Sequence, residues 1–435
     1  FAEVLCHADE NSALMEFKRS FRTNTTDWPC IYSKLDSWSL DGSGDCCSWD
    51  GVKCDEVTSR VIALNLSSSC LSGTMSPNTT LFRLVHMESL NLAFNNFNFS
   101  SIPYGFGNLS KLQYLNLSSS NFYGEIPRDI SQLSKLVSLD LSRDETLHMP
   151  NMGDFFHNLT GLKELDLSWV SSLSPFLPML ANFSSLTLLR LEYCELSGNF
   201  PVSIFQLPNL EVLSVAGNSN LYGFFPKPHW GSPLKSLDLS LTNFSGEIPT
   251  SIGNLSLLNE LVAWGCYFSG SLPSSMGNLS HLTALNLHKN NLQGQIPISF
   301  ADLTQLSVLD LSYNNLQGQI PISFANLTQL SMLQLSSNNL SDDSLEWVVN
   351  LTKLTILDIS GNSFLLIILS AIVMSRHLCT NPLSGRQVAL WGPTIRSLSL
   401  LVQMDLFPPP STTPWNPISR APSLLAPTST TTKTP

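Results

Sequence analysis

A phrase that occurs twice in the chain constrains its fold more than any other feature. The segment NLQGQIPISFADLT, which begins at Asn291, returns 24 residues later as NLQGQIPISFANLT at Asn315. Aligning the chain on this interval gives the template Leu-x-x-Leu-x-Leu-x-x-Asn-x-Leu-x-Gly-x-Ile-Pro, and from Leu162 onward every copy follows the last by 24 residues. Such a period predicts one stacked array rather than separate domains, because no single copy can bury its own leucines.

The spacing of apolar residues within the template predicts its local structure. Positions 4 and 6, such as Leu309 and Leu311, alternate with polar residues, which is typical of a short strand with one buried face. We expect this strand to span positions 3 to 7 and to line the concave side of the array. Asn at position 9, such as Asn314, carries donors and an acceptor on a short side chain, which suits it to bond the backbone of neighbouring turns. The copies begin at Val61, Met87, Leu112, Leu136, Leu162, Leu186, Leu210, Leu234, Leu258, Leu282, Leu306, Leu330 and Leu354.

Composition and motifs restrict the possible functions. Charged residues form 13% of the chain and the net charge is −11, which argues against nucleic-acid binding because that function favours basic faces. The chain has no phosphate-binding glycine loop, no Cys-x-x-Cys pair and no Gly-x-Ser-x-Gly motif. The sequence therefore predicts neither an enzyme nor a cofactor or metal site.

Cysteines are concentrated at the start of the chain. Six of the nine lie in the first 70 residues, which predicts a disulfide-closed cap over residues 1–60 that covers the apolar edge of the first repeat. Adjacent Cys46 and Cys47 cannot easily bond each other, so each is expected to reach elsewhere. We predict the pairs Cys6–Cys46 and Cys47–Cys54.

Two later cysteines have a different interpretation. Cys194 and Cys266 both occupy position 9, and they are three repeats apart. Because consecutive turns stack side by side, the two sulfurs are expected to lie beyond disulfide reach. The sequence predicts two buried free thiols.

At this point the chain resembles a known family. The order of CHADENSALMEFK, SW, CCSWDGVKC, VIALNLSSSCLSG and the recurring LxGxIP segment is similar to that of plant extracellular leucine-rich repeat receptors, especially the receptor-like proteins involved in resistance to fungi. The resemblance extends from Cys6 to about Phe364. It implies a curved, right-handed α/β repeat solenoid with an extra short strand near each LxGxIP segment. It also implies a third disulfide, between Cys30 and Cys70.

The candidate binding residues are those that differ from the most common amino acids at positions 3, 5, 7 and 8 of the repeat. Side chains at these positions are expected to face outward from the strand. Aromatic residues and arginine on rigid strands are enriched at binding hot spots, although single exposed aromatics are also ordinary surface features. We predict a concave-face site for a peptide, protein or glycan, with Trp169 and Tyr193 side by side because they share position 8 in adjacent repeats. The predicted site residues are Glu164, Trp169, Arg190, Glu192, Tyr193, Trp264, His288, Lys289 and Tyr313.

Fourteen Asn-x-Ser/Thr sequons favour a secreted, glycosylated protein. Much of this number, however, comes from the Asn-Leu-Ser/Thr sequence that recurs in the repeats. Asn65 and Asn116 occupy position 5, so glycans there would project from the concave strands. The predicted glycosylation sites are Asn24, Asn78, Asn108, Asn158, Asn254, Asn278 and Asn326.

The template stops after Phe364. The apolar run 364–374 has 11 residues, fewer than the roughly 20 that a membrane-spanning helix needs, and the sequence after Phe407 is rich in Pro, Ser and Thr. We expect about 13 repeats over residues 61–364, followed by an aberrant, disordered segment over residues 365–435. A frameshift, a retained intron or a truncated gene model would explain such an ending.

Three functions remain open from the sequence. The resemblance favours the ligand-recognition ectodomain of a cell-surface receptor for pathogen perception, which signals through a partner membrane receptor kinase. In the intact family this ectodomain lies on the outer face of the plasma membrane, whereas this chain, without a span, would be secreted to the apoplast. The alternatives are a secreted inhibitor similar to the plant polygalacturonase inhibitors and a truncated product without function.

Overall fold

The fold was obtained as a computed structural model. It describes residues 6–23, 32–39, 45–150, 154–227, 229–341 and 345–364, together with the backbone of residues 388–392 and 395–401.

One long sheet runs through the molecule, and each repeat contributes a single strand to it. We call it the main sheet, and its strands from Val61–Asn65 to Ile356–Asp358 are all parallel. In chain order its strands are Val52–Cys54, Val61–Asn65, Ser89–Asn91, Tyr114–Asn116, Ser138–Asp140, Glu164–Asp166, Leu188–Arg190, Val212–Ser214, Ser236–Asp238, Glu260–Val262, Ala284–Asn286, Val308–Asp310, Met332–Gln334, Ile356–Asp358, Val388–Gly392 and Ile395–Leu401.

The register of the main sheet follows the sequence period. Leu165 pairs with Leu189, and Leu189 pairs with Leu213, so that each template position lies beside itself in the next repeat. The strands span positions 3 to 5, which is shorter than the predicted positions 3 to 7. Single backbone hydrogen bonds continue past the strand, such as the 2.7 Å bond from the Trp169 amide to the Glu192 carbonyl. The chain then turns at position 8, and this turn ends the strand.

The core is built from the predicted leucine and asparagine positions. Leu309 and Leu311 are completely buried. The Asn314 side chain donates to the carbonyl of Leu287 in the preceding repeat at 2.9 Å and accepts from the Leu292 amide at 3.0 Å. Because an unpaired buried backbone group costs about 1–3 kcal/mol, this ladder of position-9 side chains stabilises each junction between repeats.

A second, shorter sheet confirms the extra strand that the resemblance implies. Its strands are Ser197–Asn199, Asn220–Gly223, Asn243–Glu247, Tyr267–Ser271, Asn291–Gly294, Asn315–Gly318 and Asn339–Leu340. Two small pairs join Arg22–Thr23 with Leu71–Ser72 and Tyr123–Glu125 with Thr146–His148.

Short helices return the chain between strands. The α-helices span Ala8–Arg19 and Leu177–Leu180. No helix in the described ranges combines the length and apolar character needed to cross a membrane. The 3₁₀ helices span Lys34–Ser37, Cys46–Ser48, Thr80–Arg83, Phe106–Asn108, Arg128–Gln132, Ser174–Phe176, Val202–Gln206, Thr250–Asn254, Ser274–Asn278, Ile298–Asp302, Ile322–Asn326 and Glu346–Asn350.

The N-terminal cap closes the first repeat as predicted. Disulfides join Cys6 to Cys46 and Cys47 to Cys54. Helix Ala8–Arg19 buries Leu14 and Phe17 against the array, which covers the apolar edge of the first repeat. The third predicted disulfide, between Cys30 and Cys70, can be compared with the structure only at Cys70, which is disulfide-bonded. Cys30 lies outside the described residues.

The main sheet continues beyond the last repeat. Strand Ile395–Leu401 pairs in parallel with Ile356–Asp358 and antiparallel with Val388–Gly392. The structure thus differs from the predicted disorder of residues 365–435 at these two strands. The rest of that segment lies outside the described residues.

Candidate ligand-binding site on the main sheet

Position 8 of the repeat has a backbone conformation that the sequence pattern did not reveal. Here the chain leaves the strand in the left-handed region, for example with φ +73° at Trp169. This conformation is uncommon for residues other than glycine, and Gly217 and Gly265 hold the same position in other repeats. The turn sets the direction in which the position-8 side chain leaves the sheet. The predicted site residues held in this way are Trp169, Tyr193, Lys289 and Tyr313.

Two aromatic side chains at this turn form what we call the aromatic stack. The rings of Trp169 and Tyr193 lie 4.6 Å apart between centroids at an interplanar angle of 19°, side by side as their shared position predicts. The Tyr193 ring extends over Gly217 in the next repeat, where a Cβ atom would lie 2.4 Å from it. Both rings line a surface depression of about 650 Å³, and Glu145 and Glu195 lie at the same depression.

A smaller depression of about 270 Å³ lies beside the stack, and we call it the acidic pocket. The carboxylates of Asp166, Glu192, Asp238 and Glu260 line it, together with the guanidinium groups of Arg143 and Arg190. Sequence reasoning selected Glu192 and Arg190 but passed over the others. Asp166 and Asp238 occupy position 5, where aspartate recurs in other repeats, so the sequence pattern does not single them out.

Burial and mutual repulsion make the acidic pocket electrostatically unusual. Burial is the main reason that the pKa of Asp238 is raised to about 6, and the charges of the neighbouring Glu192 and Glu260 contribute to this rise. Burial likewise raises the pKa of Asp166, although Arg190 lies 3.9 Å away. Burial also raises the pKa of the Tyr193 hydroxyl, with smaller contributions from Glu192 and Asp238. The stack and the pocket are therefore electrostatically connected through Tyr193.

Other predicted residues form a second group further along the sheet. The ring of His288 lies between those of Trp264 and Tyr313, at centroid distances of 6.4 Å and 5.1 Å. Burial lowers the pKa of His288 against the opposing effect of Asp310, so the ring is neutral near pH 7. Lys289 is exposed beside this group.

The predicted site is therefore two groups of side chains on one sheet rather than one continuous strip. The repeats that begin at Leu210 and Leu234 separate them, which corresponds to roughly 15 Å between Tyr193 and Trp264 for three strand spacings. Glu164 is exposed on its strand and lines neither depression described above.

The Asp and Ser residues that recur at positions 5 and 7 of the repeat have a structural role, because they bond each other. The Ser240 hydroxyl donates to Asp238 at 2.6 Å, its amide donates to the same oxygen at 2.8 Å, and only 2% of Ser240 is exposed. Asn116 has the same role: it accepts from the Ser118 amide at 2.9 Å and donates to Asp140 at 2.9 Å. The amide nitrogen that would carry a glycan at Asn116 is thus already engaged.

Most of the predicted glycosylation sites are accessible. Asn24 lies outside the described residues, and glycosylation at the others remains a prediction. The exposed predicted sites are Asn78, Asn108, Asn158, Asn254, Asn278 and Asn326.

The two later cysteines are free and buried, as predicted. The Cys194 thiol lies 3.1 Å from the carbonyl of Leu167, and the Cys266 thiol lies 3.1 Å from that of Leu239. Burial raises the pKa of Cys194 to about 12. Both thiols are therefore protonated donors in the ladder, and they take no part in the candidate site.

Together, the stacked parallel strands and the disulfide-closed cap define a repeat solenoid that displays side chains along the main sheet. Residues 57–262 and 232–406 match the family model described as a leucine-rich repeat region, and residues 7–55 match that of the leucine-rich repeat N-terminal domain. The chain belongs to the leucine-rich repeat family.

Curated relatives are plant receptor-like proteins. Receptor-like protein 6 of Arabidopsis thaliana is 40% identical over 279 residues, which covers 59% of this chain and 27% of that protein. Receptor-like protein Cf-9 of Solanum pimpinellifolium is 37% identical over 271 residues, which covers 58% of this chain and 31% of that protein. The chain spans less than a third of the length of these relatives.

Solved structures of plant receptors share the fold. The peptide hormone receptor RGFR1 in complex with RGF2 is 26% identical with a TM-score of 0.61, covering 73% of this chain and 57% of that one. The PEPR1–AtPEP1 structure is 28% identical with a TM-score of 0.62, covering 82% of this chain and 56% of that one.

Proposed function

We propose that this chain is the ligand-recognition part of a plant cell-surface receptor-like protein and that it binds a peptide or an extended protein segment on the main sheet. One observation carries the proposal: the aromatic stack and the acidic pocket lie together on rigid, regularly spaced strands. Large aromatic rings provide binding energy, and charged groups beside them orient a partner.

The similar proteins support a peptide ligand. RGFR1 is described in complex with RGF2, and PEPR1 with AtPEP1. An extended peptide can reach several neighbouring repeats at once, because main-sheet strands are about 4.8 Å apart. The two groups of predicted residues are therefore within the span of a single peptide.

The biological setting is part of the same proposal. Resemblance to receptor-like proteins of fungal resistance suggests pathogen perception at the outer face of the plasma membrane. The chain's described part recognises and does not catalyse under this proposal, and signalling would pass through a partner membrane receptor kinase.

Selection from a random peptide library tests the proposed function. The chain is secreted with its cap disulfides formed, immobilised and used to select binding peptides. Trp169→Ala and Tyr193→Ala are each expected to weaken binding of the selected peptides by about 2 kcal/mol or more, as for hot-spot residues. This corresponds to a loss of affinity of roughly 30-fold.

The matched control is Tyr267→Ala, because Tyr267 is 57% exposed but lies on the second sheet. It is expected to leave affinity unchanged. The proposal would be contradicted if the selected peptides bound the Trp169 and Tyr193 variants as tightly as the original chain but bound Tyr267→Ala more weakly. Such a result would place the binding site away from the aromatic stack.

A further inference from the structure

The acidic pocket contains more negative charge than its arginines neutralise. It has four carboxylates and two guanidinium groups. Among the described residues, Arg190 approaches Asp166 at 3.9 Å, and Glu260 accepts a hydrogen bond from the Ser236 hydroxyl at 3.1 Å. The side chains of Glu192 and Asp238 have no ion-pair partner in the described part of the chain.

A second, independent observation concerns Ser214 in the same pocket. Its hydroxyl is buried without a hydrogen-bond partner among the residues that the structure describes, although Ser214 lines the pocket and is only 4% exposed. An unpaired buried polar group costs about 1–3 kcal/mol. A hydroxyl can accept as well as donate, so a ligand donor placed in the pocket would relieve this cost.

The spread of the oxygens indicates the shape of the cation. Glu192, Ser214, Asp238 and Glu260 come from four successive repeats. Among the described residues, the one group of three His, Cys, Asp or Glu side chains with ligand atoms within 4.8 Å of one another is Cys6, Cys46 and Cys47, which form disulfides. The carboxylates of the acidic pocket do not converge in this way. A compact metal ion needs convergent ligands, whereas a planar guanidinium has five donors in a wide fork.

We propose that the acidic pocket binds an arginine side chain of the ligand, next to a residue that packs on the aromatic stack. This inference rests on the proposed function, since it assigns the chemistry of one ligand residue. The guanidinium donates to the carboxylates of Glu192 and Asp238, and the Ser214 hydroxyl accepts another of its N–H groups. Arg190 lies beside Ser214 in the sheet register, and both Arg143 and Arg190 belong to repeats that precede those of Asp238 and Glu260. Their repulsion places the ligand cation toward Asp238 and Glu260.

The test uses a minimal probe, so that it does not depend on knowing the natural ligand. N-acetyl-arginine amide is titrated into the secreted chain at pH 7 and followed by saturation-transfer NMR. N-acetyl-citrulline amide is the control probe, because it keeps the shape of arginine without the charge. We expect binding of the arginine probe at least tenfold tighter than that of the citrulline probe.

Variants then locate the binding. The pair Glu192→Gln with Asp238→Asn is expected to weaken arginine binding at least tenfold, and Ser214→Ala is expected to weaken it to a smaller extent. Asp302→Asn removes one negative charge, as Glu192→Gln alone does, at an exposed position at the end of a 3₁₀ helix, and it is expected to have no effect. Glu192→Gln alone, at a half-buried residue, replaces the double variant if the latter fails to fold.

Two results would overturn the assignment: equal binding of arginine and citrulline, or equal arginine binding by the Glu192 and Asp302 variants at unchanged melting temperature. Selected peptides distinguish this failure from failure of the proposed function. If they still require Trp169 and Tyr193 while the pocket variants have no effect, the arginine assignment is wrong and the proposed function stands.

Discussion

At the scale of single residues, position 9 shows how one structural role accepts different side chains. Asn218 donates to the carbonyls of Leu191 and Val215 at 2.8 Å and 2.7 Å. Cys194 donates through its thiol in the preceding repeat. Asp144 occupies the same position, but an ionised carboxylate can only accept.

The surroundings of Asp144 accordingly favour its protonated form. One carboxylate oxygen accepts from the amides of Ser120 and Asn121 at 2.9 Å and 2.8 Å, whereas the other is buried with no hydrogen-bond partner in the described part of the chain. Burial is the main reason that the pKa of Asp144 is raised to about 7, and the charge of Asp140 adds to it. A protonated carboxyl supplies the donor that asparagine supplies elsewhere in the ladder.

This pKa makes stability depend on pH. Because the pKa is higher in the folded chain than the ordinary 3.8, the stabilisation is fully present below pH 3.8 and is lost as pH rises through about 7, by at most about 4 kcal/mol. We expect Asp144→Asn to raise the melting temperature at pH 8 and to change it little at pH 4. Asp302→Asn is the matched exposed control, and a lower melting temperature of Asp144→Asn at pH 8 would contradict this account.

At the scale of elements, the sequence predicted the structural features that depend on neighbouring residues within a single repeat or within the cap. Leu309 and Leu311 identify the buried face of a strand, and Cys46 beside Cys47 restricts the cap disulfides. The acidic pocket could not be predicted in this way, because Glu192, Ser214 and Asp238 belong to three repeats. Its properties arise from burial across repeats, so even Glu192, which the sequence pattern singles out, does not reveal them by itself.

The turn at position 8 was also hidden from the sequence, because residues as different as Trp169 and Gly217 occupy it. What distinguishes them is the space in the neighbouring repeat. The Tyr193 ring occupies the place that a side chain at Gly217 would take, 2.4 Å from its Cβ position.

Gly217→Ala is therefore expected to displace Tyr193 and break the aromatic stack. The near-ultraviolet circular dichroism of the stacked rings should decrease, and binding of selected peptides should weaken. Gly198→Ala is the matched control, because Gly198 also has positive φ, +86°, but its Cβ would meet nothing within 4 Å. The same loss of signal in both variants would show that backbone strain, rather than the ring contact, is responsible.

At the scale of the whole molecule, stability comes from contacts between successive repeats. Leu237 is completely buried, and its strand pairs with a neighbour on each side. Leu237→Ala is expected to cost about 2–5 kcal/mol, measured by urea denaturation. Ile322→Ala removes a side chain from a residue that is 76% exposed and should change stability by no more than about 0.5 kcal/mol. Equal costs would contradict a core shared between repeats.

The central claim is that the main sheet recognises the ligand, and hydrogen exchange with and without a selected peptide tests it most directly. The account predicts that peptide binding slows exchange in residues 164–169, 188–193 and 236–241, which carry the aromatic stack and the acidic pocket. Exchange in the 3₁₀ helices Thr250–Asn254 and Ser274–Asn278 should stay unchanged. Slower exchange in those helices, with none on the main-sheet segments, would contradict the claim.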